Sequence, residues 1–203
     1  MPPIPRFACA WRRVGLFLGV LLLAGCAAQR VAPGSESPTR DALSAFALEG
    51  RFSLRQGDKN YSGRLSWRHQ GANNTLMLSS PFGQGIAEIT TSASGAQLTT
   101  SDGKKYSAVD AETLTTQVLG YPLPLARLTD WVRGRGAPSA AAELDAQGRL
   151  RHLRHDDWRI DYDYASDDPQ APPGALFARR SDGLELRLRI DEWSAVASAD
   201  SAP

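Results

Sequence analysis

The chain has 203 residues, a formal net charge of +1 and 42% hydrophobic residues, enough for one domain with a sizeable core. So balanced a charge offers no basic field for nucleic acid, and no nucleic-acid partner is expected. Both cysteines, Cys9 and Cys26, fall in the first 26 residues, so whatever folds after them has no disulfide, thiol chemistry or cysteine metal site.

A basic segment with Arg6, Arg12 and Arg13 leads into an uncharged apolar run, Val14 to Leu22, and then into Leu23-Ala24-Gly25-Cys26. Basic, apolar, small is the layout of a secretory signal. The run is shorter than the roughly 20 residues that span a bilayer. Closed by a cysteine, Leu-Ala-Gly-Cys resembles a bacterial lipobox. That resemblance implies cleavage before Cys26, diacylglycerol on its thiol and an acyl chain on its amine. One buried acyl chain contributes about 0.8 kcal/mol per CH₂ and binds reversibly, whereas three hold a protein on a membrane. Ala27 rather than Asp follows, which by the same resemblance implies the outer membrane. Residues 1–25 are thus expected to be a signal, and what remains has 20 basic and 22 acidic residues. Residues 26–37, small and rich in Pro and Gly, read as a lipidated tether.

Ser37-Pro38 suggests an N-cap and first turn, with Asp41, Leu43 and Phe46 on a short helix. From Ala47 the period becomes two: Leu48, Gly50, Phe52 and Leu54 alternate with Glu49, Arg51, Ser53 and Arg55. After Gln56–Asn60 the alternation resumes with Tyr61, Gly63, Leu65 and Trp67, completing a hairpin. Thr75–Ser79 and Ile86–Thr91 flank Ser80-Pro81-Phe82-Gly83-Gln84-Gly85, and Ala96–Thr100 and Lys104–Ala108 flank Ser101-Asp102-Gly103. Asp110 then caps a helix carrying Leu114, Val118 and Leu119, stopped by Gly120. A second helix carries Leu125, Leu128, Trp131 and Val132. Strands return at Ala142–Asp145, Arg149–Arg154, Asp157–Tyr164, Ala175–Arg180 and Leu184–Trp193, and the Ala- and Ser-rich residues 195–203 read as a disordered tail. The expected fold is mostly β (α+β): one domain, 38–194, of about 11 antiparallel strands in an unclosed barrel, its mouth covered by helices.

Nothing in this pattern has the layout of a catalytic site. His69 and His155 sit beside turns, His152 falls on a polar strand face, and no two histidines fit a metal spacing. Asp161 and Asp163 alternate with Ile160, Tyr162 and Tyr164, as on a solvated face. No cofactor or metal is expected. What stands out is apolar weight on inner strand faces: Phe52, Leu54, Leu65, Trp67, Leu76, Leu78, Ile86, Leu98, Trp158 and Tyr162, with Leu128 and Trp131 on the second helix. Such residues either pack a solid core or line a cavity that buries an apolar ligand, and spacing alone favours the core.

The ordered motifs resemble one family. Glu49-Gly50-Arg51-Phe52, Ser80-Pro81-Phe82-Gly83-Gln84, Gly120-Tyr121-Pro122-Leu123-Pro124-Leu125, Leu128-Thr129-Asp130-Trp131-Val132-Arg133-Gly134 and Trp158-Arg159-Ile160-Asp161-Tyr162 are similar to the LolB outer-membrane lipoprotein receptors. The resemblance covers essentially the whole chain after the lipobox. It implies an unclosed barrel related to the periplasmic lipoprotein carrier, a helical lid and a hydrophobic cavity. It implies a monomer that accepts cargo lipoproteins from the carrier LolA by their acyl chains and inserts them into the outer membrane. It also implies that the residue between Pro81 and Gly83 protrudes and acts on membrane lipid. Here that residue is Phe82, where leucine is usual. Two other readings stand beside this one: a structural envelope lipoprotein with a filled barrel, and a lipid-modifying enzyme, against which the missing nucleophile–base pair counts.

Overall fold

Alternating side chains build this molecule, and the computed structural model describes it over residues 38–196. The expected signal 1–25, the expected tether 26–37 with Cys26 and Ser37, and most of the expected tail lie outside the described residues. Six strands form a first meander: β1 (Phe46–Gln56), β2 (Lys59–Gln70), β3 (Asn73–Ser79), β4 (Gly85–Ser92), β5 (Gly95–Thr100) and β6 (Lys105–Ala108). After helices α1 (Ala111–Leu119) and α2 (Leu125–Val132) come β7 (Ala141–Leu144), β8 (Leu150–His155), β9 (Trp158–Asp163), β10 (Ala175–Arg180) and β11 (Glu185–Ala195). The sheet order is β6-β5-β4-β3-β2-β1-β11-β10-β9-β8-β7, antiparallel throughout. Chain-terminal strands β1 and β11 pair at its centre, while β6 and β7 are left as edges. Both edges are four residues long and each carries a charge, Lys105 or Glu143, which discourages pairing with another sheet.

Two departures from the alternation have physical causes. The expected N-terminal helix is only a 3-10 turn, Arg40–Ala42, and Phe46 already belongs to β1. Leu43 and Phe46 are both fully buried, so this segment is pinned by packing and not by helix propensity. The register of β1 against β11 shifts between Glu49 and Gly50. A Cβ on Gly50 would collide with the Arg189 carbonyl, so the backbones approach closer than any side chain allows.

The β1–β2, β3–β4, β5–β6, β8–β9 and β10–β11 turns all lie at one end of the sheet, as the pairs Gln56–Lys59, Arg55–Glu185 and Arg180–Trp158 require. The described chain begins and ends at the other, where Phe46 faces Ala195 and Arg40 N–H donates to Gln170 O. Helix α1, capped by the Asp110 carboxylate on Thr113 N–H, returns along the concave face to the turn end and stops at Gly120 with φ +91°. Helix α2 runs back, and Arg133 fixes its far end by donating to Leu43 O (3.2 Å), Thr129 O (2.7 Å) and Asp130 Oδ1 (2.7 Å). The α1–α2 link is therefore held at the turn end: Arg180 donates to Pro122 O at 2.9 Å, and Lys59 reaches Leu119 O at 3.4 Å.

Candidate functional site

The concave face is filled on one side and hollow on the other. Under α2, Trp131 is 1% exposed and its ring centroid lies 5.5 Å from that of Trp158. Leu153 and Ile160 complete a solid core there, and Tyr162 packs against it with its hydroxyl buried. Burial pushes the Tyr162 phenol far above its usual range, so it stays neutral. Trp131, Trp158 and Tyr162 thus belong to the packed half and do not reach the hollow one.

Between α1 and strands β1 to β5 and β11 lies a cavity of about 510 Å³, the size of sites that bury small ligands. Phe52 and Leu54 from β1, Leu65 and Trp67 from β2, and Leu76 and Leu78 from β3 form its wall. Ile86, Leu98 and Leu128 close it, so nine of the twelve residues singled out in the sequence meet around one space. The sequence reading missed Leu186 and Leu188 of β11, although their alternation in Leu184–Trp193 was the signal that could have found them. It also missed Ile89, three residues from Ile86 and so out of phase with it. A register shift where Ser79 pairs with Gly85 and Leu78 with Ala87 leaves Ile86 as an extra residue and turns both isoleucines inward.

No lining residue carries a charge. Thr115, buried in the roof, is satisfied by donating to Ala111 O and accepting from Leu123 N–H, which ties the α1–α2 link to α1. The Trp67 indole N–H is bonded to Asn74 Oδ1 at 3.0 Å, so this ring turns only apolar atoms to the cavity. A hollow with these walls can desolvate hydrocarbon but would leave a bare charge without a partner. A slightly larger concavity of about 530 Å³ lies over the sheet at β1, β11, β10 and β9, where Arg51, Arg187, Arg189, Asp161 and Asp163 add charge to a lining that the other cavity keeps uncharged. On the outer face His152 and Asp161 are 2.7 Å apart within a network that includes Arg159 and Arg179.

The lining residues open to solvent, Asn60, Tyr61, Ser62 and Ile86, all lie toward the turn end. Four residues before Ile86 stands Phe82, 94% exposed. Its turn is held by its own backbone: Gly83 N–H donates to Ser80 O and Ser80 N–H to Gln84 O. Pro81 fixes φ before the ring, and Gly83 supplies the φ of +85° after it. Phe82 is thus presented by a stiff turn beside the cavity mouth.

Fold and site define a half-barrel with a roofed, uncharged cavity and an apolar residue displayed at its opening, a binding architecture for hydrocarbon. The sequence profile described as "Outer membrane lipoprotein LolB" matches residues 44–193. An outer-membrane lipoprotein LolB from Dechloromonas aromatica (strain RCB) is 41% identical over 186 residues, covering 89% of this chain and 96% of the relative. One from Azoarcus sp. (strain BH72) is 37% identical over 196 residues, covering 95% and 98%. This chain belongs to the LolB family of outer-membrane lipoproteins. A LolA superfamily protein from Nitrosomonas europaea aligns over 77% of this chain and 88% of its own at 9% identity, with a TM-score of 0.44, too slight a likeness to argue from.

Proposed function

We propose that this protein is the lipid-anchored acceptor that takes lipoproteins from the periplasmic carrier LolA and inserts them into the outer membrane, as a monomer and without covalent chemistry. The observation that carries this reading is the uncharged cavity opening beside exposed Phe82. Cargo acyl chains occupy the cavity between the wall of β1 to β3 and α1. The Pro81-Phe82-Gly83 turn brings the mouth to the lipid. Residues 1–25 are the signal, Cys26 carries the acyl groups, and residues 26–37 connect them to the domain. Transfer from carrier to acceptor needs no nucleotide if this cavity suits acyl chains better. A difference of about 1.4 kcal/mol biases the exchange tenfold.

The test is an in vitro transfer assay from cargo-loaded carrier. Leu78 lines the cavity but is only half-buried, so Leu78→Glu is expected to fold. Its carboxylate cannot be desolvated among apolar walls. The variant should keep wild-type far-ultraviolet circular dichroism and lose acceptance. A folded Leu78→Glu that takes cargo at the wild-type rate would refute the cavity as the acyl site and favour the structural-lipoprotein reading.

A further inference from the structure

We propose that the turn end of the sheet is a bilayer-docking surface for anionic headgroups, and that charge polarity across the cavity mouth decides which side of it faces the membrane. This rests on the reading of the cavity as an acyl site and goes beyond it by naming the lipid the mouth seeks and the orientation it takes.

The chain has three lysines, Lys59, Lys104 and Lys105, among 23 basic residues. All three stand at the turn end: Lys59 closes the β1–β2 turn, Lys104 and Lys105 the β5–β6 turn, and the Phe82 turn lies between them. The Ser80–Gly85 segment is itself uncharged, and the exposed apolar residues beside it are Tyr61 and Ile86, at 41% and 43%. On these turns the acids are Asp58, next to Lys59, and Asp102, 2.7 Å from Lys104, leaving one positive charge in surplus. Across the mouth the sign reverses. The β8–β9 and β10–β11 turns carry Asp156, Asp157 and Asp182, against which stand Arg127, paired with Asp156, and Arg180, paired with Asp182.

The choice of lysine fits a mobile, anionic partner. Its ammonium is a point charge on a flexible four-carbon stem that can lie along apolar groups while the head meets a phosphate. Both ends of the described chain sit at the opposite end of the sheet. An anionic bilayer would draw down the lysine side, with Phe82 at its centre, and repel the aspartate side. Each basic residue near such a surface raises partitioning by roughly fivefold, and salt screens the effect over about 8–10 Å.

The exported Cys26→Ala chain, which has no acyl anchor, isolates this surface when titrated with vesicles of phosphatidylcholine alone or mixed with phosphatidylglycerol. Binding should be stronger to the mixed vesicles and weaken with salt. The K104Q/K105Q variant, which leaves Lys59 on the α1–α2 link, should lose roughly twenty-fivefold of it at low salt, the product of two such factors. The R68Q/R151Q variant removes the same charge from positions away from the turn end and should bind nearly as wild type. D157K, adding positive charge across the mouth, should gain little. Equal losses in the two double variants, binding indifferent to lipid charge, or a gain in D157K matching the lysine loss would overturn the proposal. Acceptance of cargo from loaded carrier, measured without vesicles, keeps the two readings apart. It should survive in the lysine variant, and its failure in wild type would count against the acyl site and not against the docking surface.

Discussion

Burying a phenyl ring contributes roughly 1.5–3 kcal/mol, far below what acyl chains supply, so in the proposed role Phe82 serves a transient contact and not attachment. Phe82→Leu should leave both steps of transfer intact. Phe82→Glu should accept cargo yet fail to deliver it, as read by cargo crosslinked to the acceptor and cargo recovered in liposomes; loss of both together would move Phe82 to uptake. His69 makes a different kind of prediction. Burial pushes its imidazole below the usual range, against the opposing hydrogen bond to Asn74, and its ring lies 5.1 Å from that of Phe46. The folded state therefore binds this proton less readily than the unfolded one, so acidification favours unfolding. Stability from His69 is present above its unfolded pKa of about 6.5 and is lost as pH falls from there toward the folded value. Thermal scans between pH 7.5 and pH 5, chosen on the ordinary histidine range as roughly its bounds, should show a decline that His69→Gln reduces. An identical decline in the variant would assign the loss to other groups. Asp102 and Asp182, held at about 2 by hydrogen bonds from Lys104 and Arg180, respond only at far lower pH.

At the scale of elements, the roof depends on the link between α1 and α2. One end of α2 is fixed by buried Arg133, but the link is held from the sheet mainly by the Arg180 guanidinium, which is braced by Asp182 at 2.7 and 2.9 Å. Arg180→Ala should speed hydrogen exchange of amides in residues 118–124 and the uptake of a hydrophobic dye, with little change in the exchange of β1 and β2. Uniformly faster exchange would mean that Arg180 supports the fold as a whole. The hairpins were legible in the sequence because apolar residues alternate wherever one sheet face is buried, as in Leu48 to Leu54 and Tyr61 to Trp67. The helices were legible from Asp110 and Gly120, a cap and a stop. What no local pattern carried was the division of the concave face. Trp67 and Trp158 stand on similar alternating strands, and only the path of α2 makes one a cavity wall and the other solid core. The inward turn of Ile89 was hidden for a like reason, since a one-residue bulge erases the period on which such a reading depends.

For the molecule as a whole, the division into a filled and a hollow half reconciles two demands. The filled half, with Trp131, Trp158 and Ile160, gives a rigid base in a fold that has no cysteine among residues 38–196. The hollow half can then forgo packing without leaving the sheet unsupported. Its edges β6 and β7 never meet, and that has a mechanical consequence. In a closed barrel, strand number and stagger fix the bore, and widening it breaks a row of hydrogen bonds. An open sheet has no such final row, so it can uncoil by small torsions spread over many residues with every existing pair intact. The cavity is therefore compliant, more like a leaf spring than a tube. Affinity for free fatty acids, followed by displacement of a bound dye, should rise smoothly with chain length, and a sharp cut-off would show the spring to be stiff. A container of this kind does not measure its contents, and one set of walls can serve acyl chains of unequal length.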